Sequence, residues 1–440
     1  MAKKYDVVIV GGGPAGLMAA RVAGENGLST ALLERRTNMT RTKRVDGGSL
    51  PPVNEYKCKE QLTFNPKAKR IGFPVSGFSI KYDGPFQDMF GFRLFSPGGK
   101  MFSFGDYDKL KNDPEKNRVG IALDKGAMLK GLLEDAEAVG VDIFPGTNVT
   151  GIETGESGAM VTGNGETFEG SFVIAADGIN SRIARLMGMN KERKFIGTMV
   201  DRVWNLEGID IPDVVGLSFV LTSYGNLFVS RVCNKGHYHV GASSYHPGDD
   251  LEAQLKRFVY EDKVYSPWFK GAKKTDEYTC VVNLLSPIKE PFEDNVLFIA
   301  DAAWMMELSN AFSILCGWKA GNAVTLAVLD GKLNKEGIAS YLKWWDNKFY
   351  GPHGHVEFKP LHLHDYLNGD DIDYLAGLIK KPFFSTLNFY KLFSTIGSTY
   401  AELFPVIQEE RPDVMEKLMN IANEMDEIEE KAKKAGFPNR

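Results

Sequence analysis

The chain has 440 residues, of which 43% are hydrophobic and 25% are charged, and its formal net charge is −5. This composition is that of a globular protein with a large core, and it excludes intrinsic disorder, a collagen-like repeat and a disulfide scaffold. Lys and Arg number 52 against 57 Asp and Glu, so the chain lacks the basic excess that nucleic-acid binding needs. The cysteines are widely spaced and predict neither a disulfide framework nor a zinc ribbon, which fits a cytoplasmic location; they are Cys58, Cys233, Cys280 and Cys316.

The N-terminal segment predicts a strand, a tight turn, a helix and a second strand. Residues 5–10 form an apolar, β-branched run, a glycine-rich turn follows at 11–16, and the helical pattern over 17–26 stops at Gly27. A second buried strand is expected over 29–33. Because the glycines interrupt the apolar run, we do not expect a signal peptide. We also expect no membrane-spanning helix, since no run of about 18 uncharged apolar residues occurs.

The rest of the chain alternates between β-rich and α/β segments. The expected elements are β-structure over 72–116, a helix over 124–139, a strand near 141–144, a two- or three-stranded ribbon over 147–167, a strand over 172–176, three antiparallel strands over 215–246, a helix over 249–262, a strand over 296–300, a helix reaching 330, and a mostly helical region from 336. The β-rich segments lie between the α/β segments, which predicts two intertwined domains rather than a linear series.

The glycine-rich turn matches a dinucleotide-binding motif in its required context of strand, turn and helix. Gly11 permits the tight turn, Gly13 lets the backbone approach a pyrophosphate, and Gly16 allows close packing of helix on strand. The helix N-terminus presents free N–H groups to the phosphates, and Glu34 follows the second strand, where it can bond ribose hydroxyls. A glycine-rich turn without a ligand is the alternative. The expected cofactor contacts are Gly11, Gly13, Pro14, Ala15, Gly16, Glu34 and Arg35.

Two later segments carry a resemblance to a known superfamily. Residues 174–181 (IAADGINS) resemble the Asp-Gly motif of flavoproteins with the para-hydroxybenzoate-hydroxylase fold, and residues 298–303 (FIADAA) resemble their third motif, usually Gly-Asp-Ala-Ala. The resemblance covers residues 5–330 and implies FAD as cofactor. It also implies that Asp301 hydrogen-bonds the flavin ribityl chain and that the cofactor touches Asp177, Gly178 and Ala302.

The same resemblance implies the fold and two further cofactor contacts. The expected fold is α/β, with a Rossmann-like FAD-binding domain of the glutathione-reductase type interleaved with an antiparallel β-sheet substrate domain, followed by a helical C-terminal region. Arg44 would neutralise the pyrophosphate, unless it belongs to a solvated basic loop, and Lys125 stands where many relatives have Arg. The domain bounds are 1–71, 117–194 and 286–330 for FAD, 72–116 and 195–285 for substrate, and 331–440 for the helical region.

The run from Asp177 to Arg185 separates two branches of the superfamily. NAD(P)H-dependent hydroxylases usually read Asp-Gly-x-x-Ser-x-Val-Arg, whereas proteins of the geranylgeranyl reductase family usually read Asp-Gly-x-Asn-Ser-x-x-Ala-Arg, as this chain does. Residues 319–321 (KAG) also resemble the Lys-Ser-Gly of those reductases. The resemblance therefore implies hydride transfer from reduced flavin to a carbon–carbon double bond of a hydrophobic or alicyclic substrate. NAD(P)H or a small redox protein is the implied electron donor, and peripheral membrane contact stays open.

Several positions depart from the reductase pattern. Ala300, Ala311 and Ser313 stand at usual glycines and Leu308 stands at a usual proline, so we expect the loop beside the flavin to take another path. Two other functions therefore stay open. One is a flavin-dependent monooxygenase that uses NAD(P)H and O₂, and the other is a flavin-binding protein without turnover.

The sequence leaves the proton donor unidentified. Asp46, where some reductases carry a Cys, and Cys316 are weak candidates, and a turn-forming Asp and a buried packing Cys are their alternatives. Four histidines could bind a metal, although a structural role is the simpler interpretation; they are His353, His355, His362 and His364. The aromatic segment over 382–404 is expected to pack against the main body, with a substrate lid and a membrane-surface helix as alternatives.

Overall fold

The computed structural model describes residues 2–42, 49–50, 53, 55–57, 59–155, 158–212, 215–246, 248–304, 309–349 and 366–434. The predictions for Arg44, Asp46 and Leu308, and the metal site predicted at His353, His355, His362 and His364, lie outside these residues. No cluster of three or more His, Cys, Asp or Glu side chains that could hold a metal ion occurs among the residues that were described.

The strands are numbered in chain order. They are β1 (Lys3–Val10), β2 (Thr30–Glu34), β3 (Ser49–Leu50), β4 (Tyr56–Lys57), β5 (Glu60–Gln61), β6 (Thr63–Asn65), β7 (Arg70–Phe73), β8 (Phe78–Lys81), β9 (Phe86–Met89), β10 (Gly91–Phe95), β11 (Met101–Ser103), β12 (Gly120–Leu123), β13 (Asp142–Pro145), β14 (Val149–Gly155), β15 (Gly158–Gly163), β16 (Glu166–Ala175), β17 (Phe195–Glu207), β18 (Gly216–Thr222), β19 (Gly225–Arg231), β20 (His237–Ser244), β21 (Lys273–Leu285), β22 (Phe292–Glu293) and β23 (Val296–Phe298).

The α-helices are numbered in the same way. They are α1 (Pro14–Glu25), α2 (Tyr107–Leu110), α3 (Pro114–Asn117), α4 (Lys125–Ala138), α5 (Arg182–Leu186), α6 (Leu251–Lys256), α7 (Asn310–Leu329), α8 (Ala339–Phe349), α9 (Gly369–Leu378), α10 (Phe389–Glu410) and α11 (Pro412–Lys434). The helix expected over 249–262 is divided, because α6 continues as a π-helical turn at Arg257–Glu261. A 3₁₀ turn lies at Ser266–Phe269 and another at Ala300–Ala302.

The first large sheet has the mixed α/β architecture that the sequence predicts. Its strand order is β13-β2-β1-β16-β15-β14, and β23 also pairs with β16. Strands β13, β2, β1, β16 and β23 run parallel, whereas β14, β15 and β16 form the predicted antiparallel ribbon. The C-terminal ends of the central strands β1 and β16 are apolar and buried because both of their faces are covered there. Every residue of β2 is also buried.

Helices α1 and α7 pack closely beside this sheet. A Cβ on Gly317 would overlap the carbonyl oxygen of Ala15, and a Cβ on Gly321 would lie 2.7 Å from the Cβ of Val22. These two glycines therefore allow the helix backbones to approach each other. Helix α7 is long and apolar enough to span a membrane. However, 67% of its apolar 18-residue stretch is buried inside the protein. A core helix meets the same criterion.

The second large sheet has seven strands in the order β11-β10-β18-β19-β20-β17-β21. Its outer face is covered by α6 and the π-helical turn, where Trp204, Leu255 and Phe258 form part of one apolar cluster. Side chains alternate along each strand, so the neighbours of Trp204 on β17 point to the opposite face, which we call the inner face. On β21 this alternation is visible as burial of Val282 and Leu284 against the core of the first sheet.

The C-terminal helices close the far end of the inner face. Leu392 on α10 belongs to a buried cluster with Phe92 and Phe104, and Phe219 packs against this cluster from β18. Helices α9, α10 and α11 share a second cluster that includes Ile407 and Val414. The aromatic segment is therefore held against the β-sheet by α10.

One predicted domain boundary passes through a packed unit. The predicted substrate domain begins at residue 72, within β7, and includes β8, whereas Phe73, Ile80 and Tyr82 are buried in the same cluster as the first sheet. The stacked rings of Phe73, Phe78 and Trp318 link these strands to α7. The short alternating pattern of residues in β7 and β8 predicted strands correctly. It gave no information on whether these strands pack in the core of the first sheet or of the second. The division into domains otherwise stays a prediction.

Candidate functional site

All the sequence motifs for the cofactor meet at one edge of the first sheet. Val10 at the end of β1 pairs with Ala175 at the end of β16, which in turn pairs with Phe298 at the end of β23. Leu33, just before Glu34, pairs with Val10 from the other side. The glycine-rich turn, the Asp-Gly motif, the third motif and Glu34 are therefore side by side at the carboxyl edge, where open α/β sheets bind ligands.

Glycine is needed at the three motif positions for different structural reasons. Gly11 has a φ of +112°, and a Cβ there would overlap the carbonyl oxygen of Ala176. A Cβ on Gly16 would overlap the carbonyl oxygen of Gly11. A Cβ on Gly13, by contrast, would meet no atom within 4 Å. Gly11 and Gly16 are thus required by the fold, whereas the space beside Gly13 at the N-terminus of α1 is open to a ligand.

Glu34 is held rigidly and kept ionised beside this space. It is 6% exposed, its Oε2 accepts a hydrogen bond from the Gly12 N–H at 2.7 Å, and its Oε1 accepts from the Arg36 N–H and Nε, both at 2.9 Å. Burial alone would raise the pKa of Glu34, but these hydrogen bonds and the Arg36 charge bring it below its ordinary value. A carboxylate has about four acceptor sites, so three bonds leave room for a ribose hydroxyl.

Arg36 is a site residue that sequence reasoning missed. Its guanidinium pairs with Glu34 and also donates to the carbonyl oxygen of Gly12 at 3.2 Å. The expected contact, Arg35, is exposed, so its role at the cofactor stays a prediction. Two adjacent arginines give no local signal of which one turns inward, since the direction depends on how β2 ends.

Asp177 bonds to the protein in a way the sequence did not predict. Its Oδ2 accepts hydrogen bonds from the N–H groups of Arg182 at 2.7 Å and Ile183 at 3.1 Å. Burial raises the pKa of Asp177 despite these bonds. The carboxyl group therefore fixes the first turn of α5 behind the Asp-Gly motif. Gly178 has a φ of +83°, which explains the glycine at that position.

The third motif carries a strained alanine. Ala300 occupies the usual glycine position with a φ of +50°, in the left-handed region. It begins the 3₁₀ turn Ala300–Ala302, which also holds Asp301 and Ala302 at the carboxyl edge of the sheet. The backbone thus keeps the shape that glycine usually supports, at a conformational cost.

We expect Ala300→Gly to stabilise the protein by about 1 kcal/mol, because glycine adopts a positive φ without the steric penalty of a Cβ. Urea unfolding followed by circular dichroism measures the change. Ala302→Gly is the matched control, since Ala302 lies in the same turn without a positive φ, and its substitution should destabilise. An Ala300→Gly variant no more stable than the wild type contradicts the strained conformation.

Cys316 is placed where it packs rather than reacts. It is fully buried on α7. Burial, followed by the nearby Asp301 carboxylate, raises the pKa of its thiol to about 12. Such a thiol stays protonated at neutral pH and transfers its proton poorly. The packing role that the sequence left as the alternative is therefore favoured over a catalytic one.

The remaining motif positions lie on helices. Lys125 is the first residue of α4, next to the N-cap Asp124, whose carboxylate accepts from the Ala127 N–H. Ala311 and Ser313 lie in the first turn of α7, because Ala and Ser form helix more readily than the usual glycines. The expected detour of the preceding loop falls on residues 305–308, outside the described residues.

The described residues fit FAD. The open space at Gly13, the N-terminus of α1 and the buried Glu34 carboxylate offer a pyrophosphate and a ribose their usual partners. The Asp-Gly and third motifs extend the same edge of the sheet, which gives a long, two-part cofactor a continuous path.

Comparisons with known proteins agree with this geometry. Residues 4–49 match a family model described as an FAD binding domain. The chain is 25% identical over 365 residues to digeranylgeranylglycerophospholipid reductase 2 of Methanopyrus kandleri, which covers 79% of this chain and 83% of the relative. It is also 25% identical over 432 residues to the digeranylgeranylglycerophospholipid reductase of Thermoplasma acidophilum, covering 92% and 99%.

Solved structures share the fold. A geranylgeranyl bacteriochlorophyll reductase-like protein from Thermoplasma acidophilum superposes with a TM-score of 0.68 at 20% identity, covering 96% of this chain and all of that one. A p-nitrophenol 4-monooxygenase from Pseudomonas putida gives 0.54 at 16% identity, covering 78% and 84%. The fold and the FAD-binding domain are those of an FAD-dependent oxidoreductase. Along most of its length, the chain is similar to proteins named digeranylgeranylglycerophospholipid reductases.

Proposed function

We propose that the protein is an FAD-dependent reductase that saturates carbon–carbon double bonds of a hydrophobic prenyl lipid. The observation that carries the proposal is the similarity along most of the chain to proteins named digeranylgeranylglycerophospholipid reductases. The register of residues 177–185, which places Arg185 four positions after Ser181, supports the same branch. NAD(P)H or a small redox protein supplies the electrons.

The residues of this chain bind and orient the cofactor. Reduced FAD supplies a hydride when it is bound. The turn at Gly13 and the N-terminus of α1 hold the pyrophosphate, Glu34 holds a ribose, and Asp301 and Ala302 lie along the path of the flavin. Because Glu34 is fixed by Arg36 and Gly12, it needs little reorganisation on binding.

The inner face of the second sheet supplies an apolar wall for the substrate. Phe219 on β18 lies directly opposite Phe228 on β19, and the ring of Phe92 stacks 5.9 Å from that of Phe219. Phe389 on α10 approaches Phe219 to 6.0 Å from the C-terminal region. Phe92 is itself fully buried, so the partly exposed surfaces of Phe219, Phe228 and Phe389 are the ones that would contact an isoprenoid chain.

An anaerobic single-turnover experiment tests the proposed function. The FAD-loaded protein is reduced with dithionite and mixed with a digeranylgeranylglycerophospholipid. We expect the flavin to reoxidise and the lipid to gain two hydrogen atoms per reduced bond by mass spectrometry. The control repeats the reaction with the saturated lipid. A lipid that is unchanged without oxygen but hydroxylated with NADPH and oxygen indicates the monooxygenase instead, and no flavin-linked change in either lipid indicates binding without turnover.

An exposed aromatic ridge supports contact with a membrane. We use this name for Phe384, Phe389 and Phe393, which are 51%, 40% and 64% exposed. Exposed Lys380 and Lys381 precede the ridge and provide charges complementary to anionic lipid headgroups. Aromatic rings favour the membrane interface. We propose that the ridge docks the enzyme on an anionic bilayer, from which the lipid substrate is taken.

We expect the double substitution Phe384→Ser and Phe393→Ser to weaken binding to vesicles of phosphatidylcholine and phosphatidylglycerol by about tenfold, because it removes apolar area from the interface. Cosedimentation measures the binding. Phe195→Ser is the matched control, since Phe195 is 64% exposed at the start of β17 and outside the ridge. Equal binding of the double variant and the wild type overturns the docking surface.

A further inference from the structure

The centre of the inner face carries a carboxyl group that the cofactor site does not use. Asp201 on β17 pairs directly with Ser243 on β20 and with Cys280 on β21. The next row of the sheet contains Met199, which packs against the core of the first sheet together with Tyr245 and Cys280. Asp201 therefore lies where the second sheet meets the cofactor-binding unit.

The aromatic wall lies on the same face. Ser243 pairs with Asn226 on β19, two residues from Phe228, and Phe228 pairs with Phe219. Asp201, Ser243 and Asn226 form one row of paired residues across the sheet. This row lies next to the apolar surface that we propose for the substrate. One end of this face packs against the core of the first sheet, and the other end packs against the C-terminal helices.

The surroundings of Asp201, rather than its hydrogen bond, favour its neutral, acidic form. The Ser243 hydroxyl donates to its Oδ1 at 2.5 Å, and no basic side chain of the described chain contacts it. Arg202 points to the outer face, where it pairs with Glu252 and Glu277. Burial raises the pKa of Asp201, although the Ser243 hydrogen bond opposes this. A carboxylate that is shielded from water and has no cationic partner is costly, which favours the protonated form of Asp201.

Two other buried acids, Asp371 and Glu34, are neutralised differently. Asp371 is paired with both Arg411 and Lys417, and Glu34 is paired with Arg36. The titratable groups near Asp201 are Tyr245, just after β20, and Cys280 on β21. Burial raises the pKa of Tyr245, so this phenol is neutral. Neither group supplies a positive charge that would ionise Asp201.

We infer that Asp201 is the catalytic acid that protonates the substrate double bond. This inference rests on the proposed function. One alkene carbon receives a hydride, with its two electrons, from the reduced flavin, and the other receives a proton from the Asp201 carboxyl group. The carbon–carbon π bond and the carboxyl O–H bond break, two C–H bonds form, and the carboxylate regains its proton from water. Ser243 positions the carboxyl group by donating to Oδ1, which leaves Oδ2 to carry the transferred proton.

Asp201→Asn is the first test, because the amide keeps the shape but has no acidic proton. The matched control is Asp276→Asn, an exposed carboxylate on the same face of the neighbouring strand β21. Infrared spectra of the substrate-free protein at neutral pH should show a protonated carboxyl band that persists in Asp276→Asn and is absent from Asp201→Asn. FAD content and reduction by dithionite should be equal in all three proteins.

In single turnover, lipid-dependent reoxidation of the flavin should slow by about 100-fold or more in Asp201→Asn and remain unchanged in Asp276→Asn. Asp201→Glu, which restores an acidic proton, should recover part of the rate, and Ser243→Ala should slow it while retaining the carboxyl band; these two variants keep the test valid if Asp201→Asn does not fold. A missing carboxyl band in the wild type, or a rate within threefold of wild type in Asp201→Asn, overturns the inference alone. A wild-type protein that reduces no prenyl lipid overturns the proposed function instead, whether or not the band is present.

Discussion

Gly13→Val should leave the protein folded but weaken FAD binding about 100-fold. The Gly13 backbone is extended, with φ −82° and ψ −178°, a conformation that valine adopts readily. The new Cβ would meet no protein atom within 4 Å. It would instead fill the space proposed for the pyrophosphate. Steric overlap of about 3 kcal/mol lowers affinity by a factor of about 100.

Flavin fluorescence titration of the apoprotein measures the affinity, and thermal unfolding without FAD measures the fold. Gly248→Val is the matched control, since Gly248 also faces open space but lies in an exposed loop far along the chain from the motif. Gly16→Val provides the opposite case, because its side chain would overlap the Gly11 carbonyl oxygen and prevent folding. Unchanged FAD affinity in Gly13→Val would mean that the pyrophosphate lies elsewhere.

Asp371→Asn should lower the free energy of opening of the C-terminal helices by about 3 kcal/mol. Asp371 is fully buried at the start of α9, where it accepts hydrogen bonds from Arg411 at 2.7 Å and Lys417 at 2.6 Å. It also accepts from the Asn368 N–H at 3.0 Å and so completes a capping box. Removing one member of a buried ion pair leaves the others uncompensated, which costs about 3–5 kcal/mol. We expect a cost at the lower end of this range because Arg411 and Lys417 are partly exposed to solvent.

Amide hydrogen exchange in α9, α10 and α11 measures this loosening, which should appear as exchange about 100-fold faster than in the wild type. Asp370→Asn is the matched control, since Asp370 is the exposed neighbour in the same first turn. Equal exchange in the Asp371→Asn and Asp370→Asn variants would show that the ion pairs contribute nothing to the packing of these helices.

The effect of Asp371 should also depend on pH. Burial alone would raise the pKa of this carboxyl group, but the hydrogen bonds from Lys417 and Asn368 and the charges of Lys417 and Arg411 bring it below its ordinary value. A carboxyl group whose pKa is lowered by folding stabilises the folded state above its unfolded pKa of about 4. That stabilisation disappears as the pH falls through the lower folded value. The wild type and Asp371→Asn should therefore differ in exchange at neutral pH and converge in acid.

Local patterns predicted the elements of the chain well. The helix expected over 124–139 is found at Lys125–Ala138, and the three antiparallel strands expected over 215–246 are β18, β19 and β20. In these segments the period of the apolar residues alone distinguishes helix from strand. The mixed α/β fold was also predicted correctly, because the strand–turn–helix motif and its order along the chain are local features.

The pairing of distant residues was not accessible in this way. Asp201 and Ser243 are 42 residues apart, and Asp371 and Lys417 are 46 residues apart. Each side chain by itself resembles an ordinary surface residue in the sequence. The register between β17 and β20, and the packing of α9 on α11, decide that these groups are buried together.

The sequence by itself predicted the cofactor motif with Gly11 and Gly16, because close backbone approach at a tight turn excludes residues with a Cβ there. Only the tertiary structure decided what surrounds that motif. It turned Arg36 rather than Arg35 toward Glu34, bonded Asp177 to α5, held Ala300 at a positive φ, and enclosed Cys316. Those outcomes depend on burial and on partners from other elements, and neither is encoded in the spacing of residues along one segment.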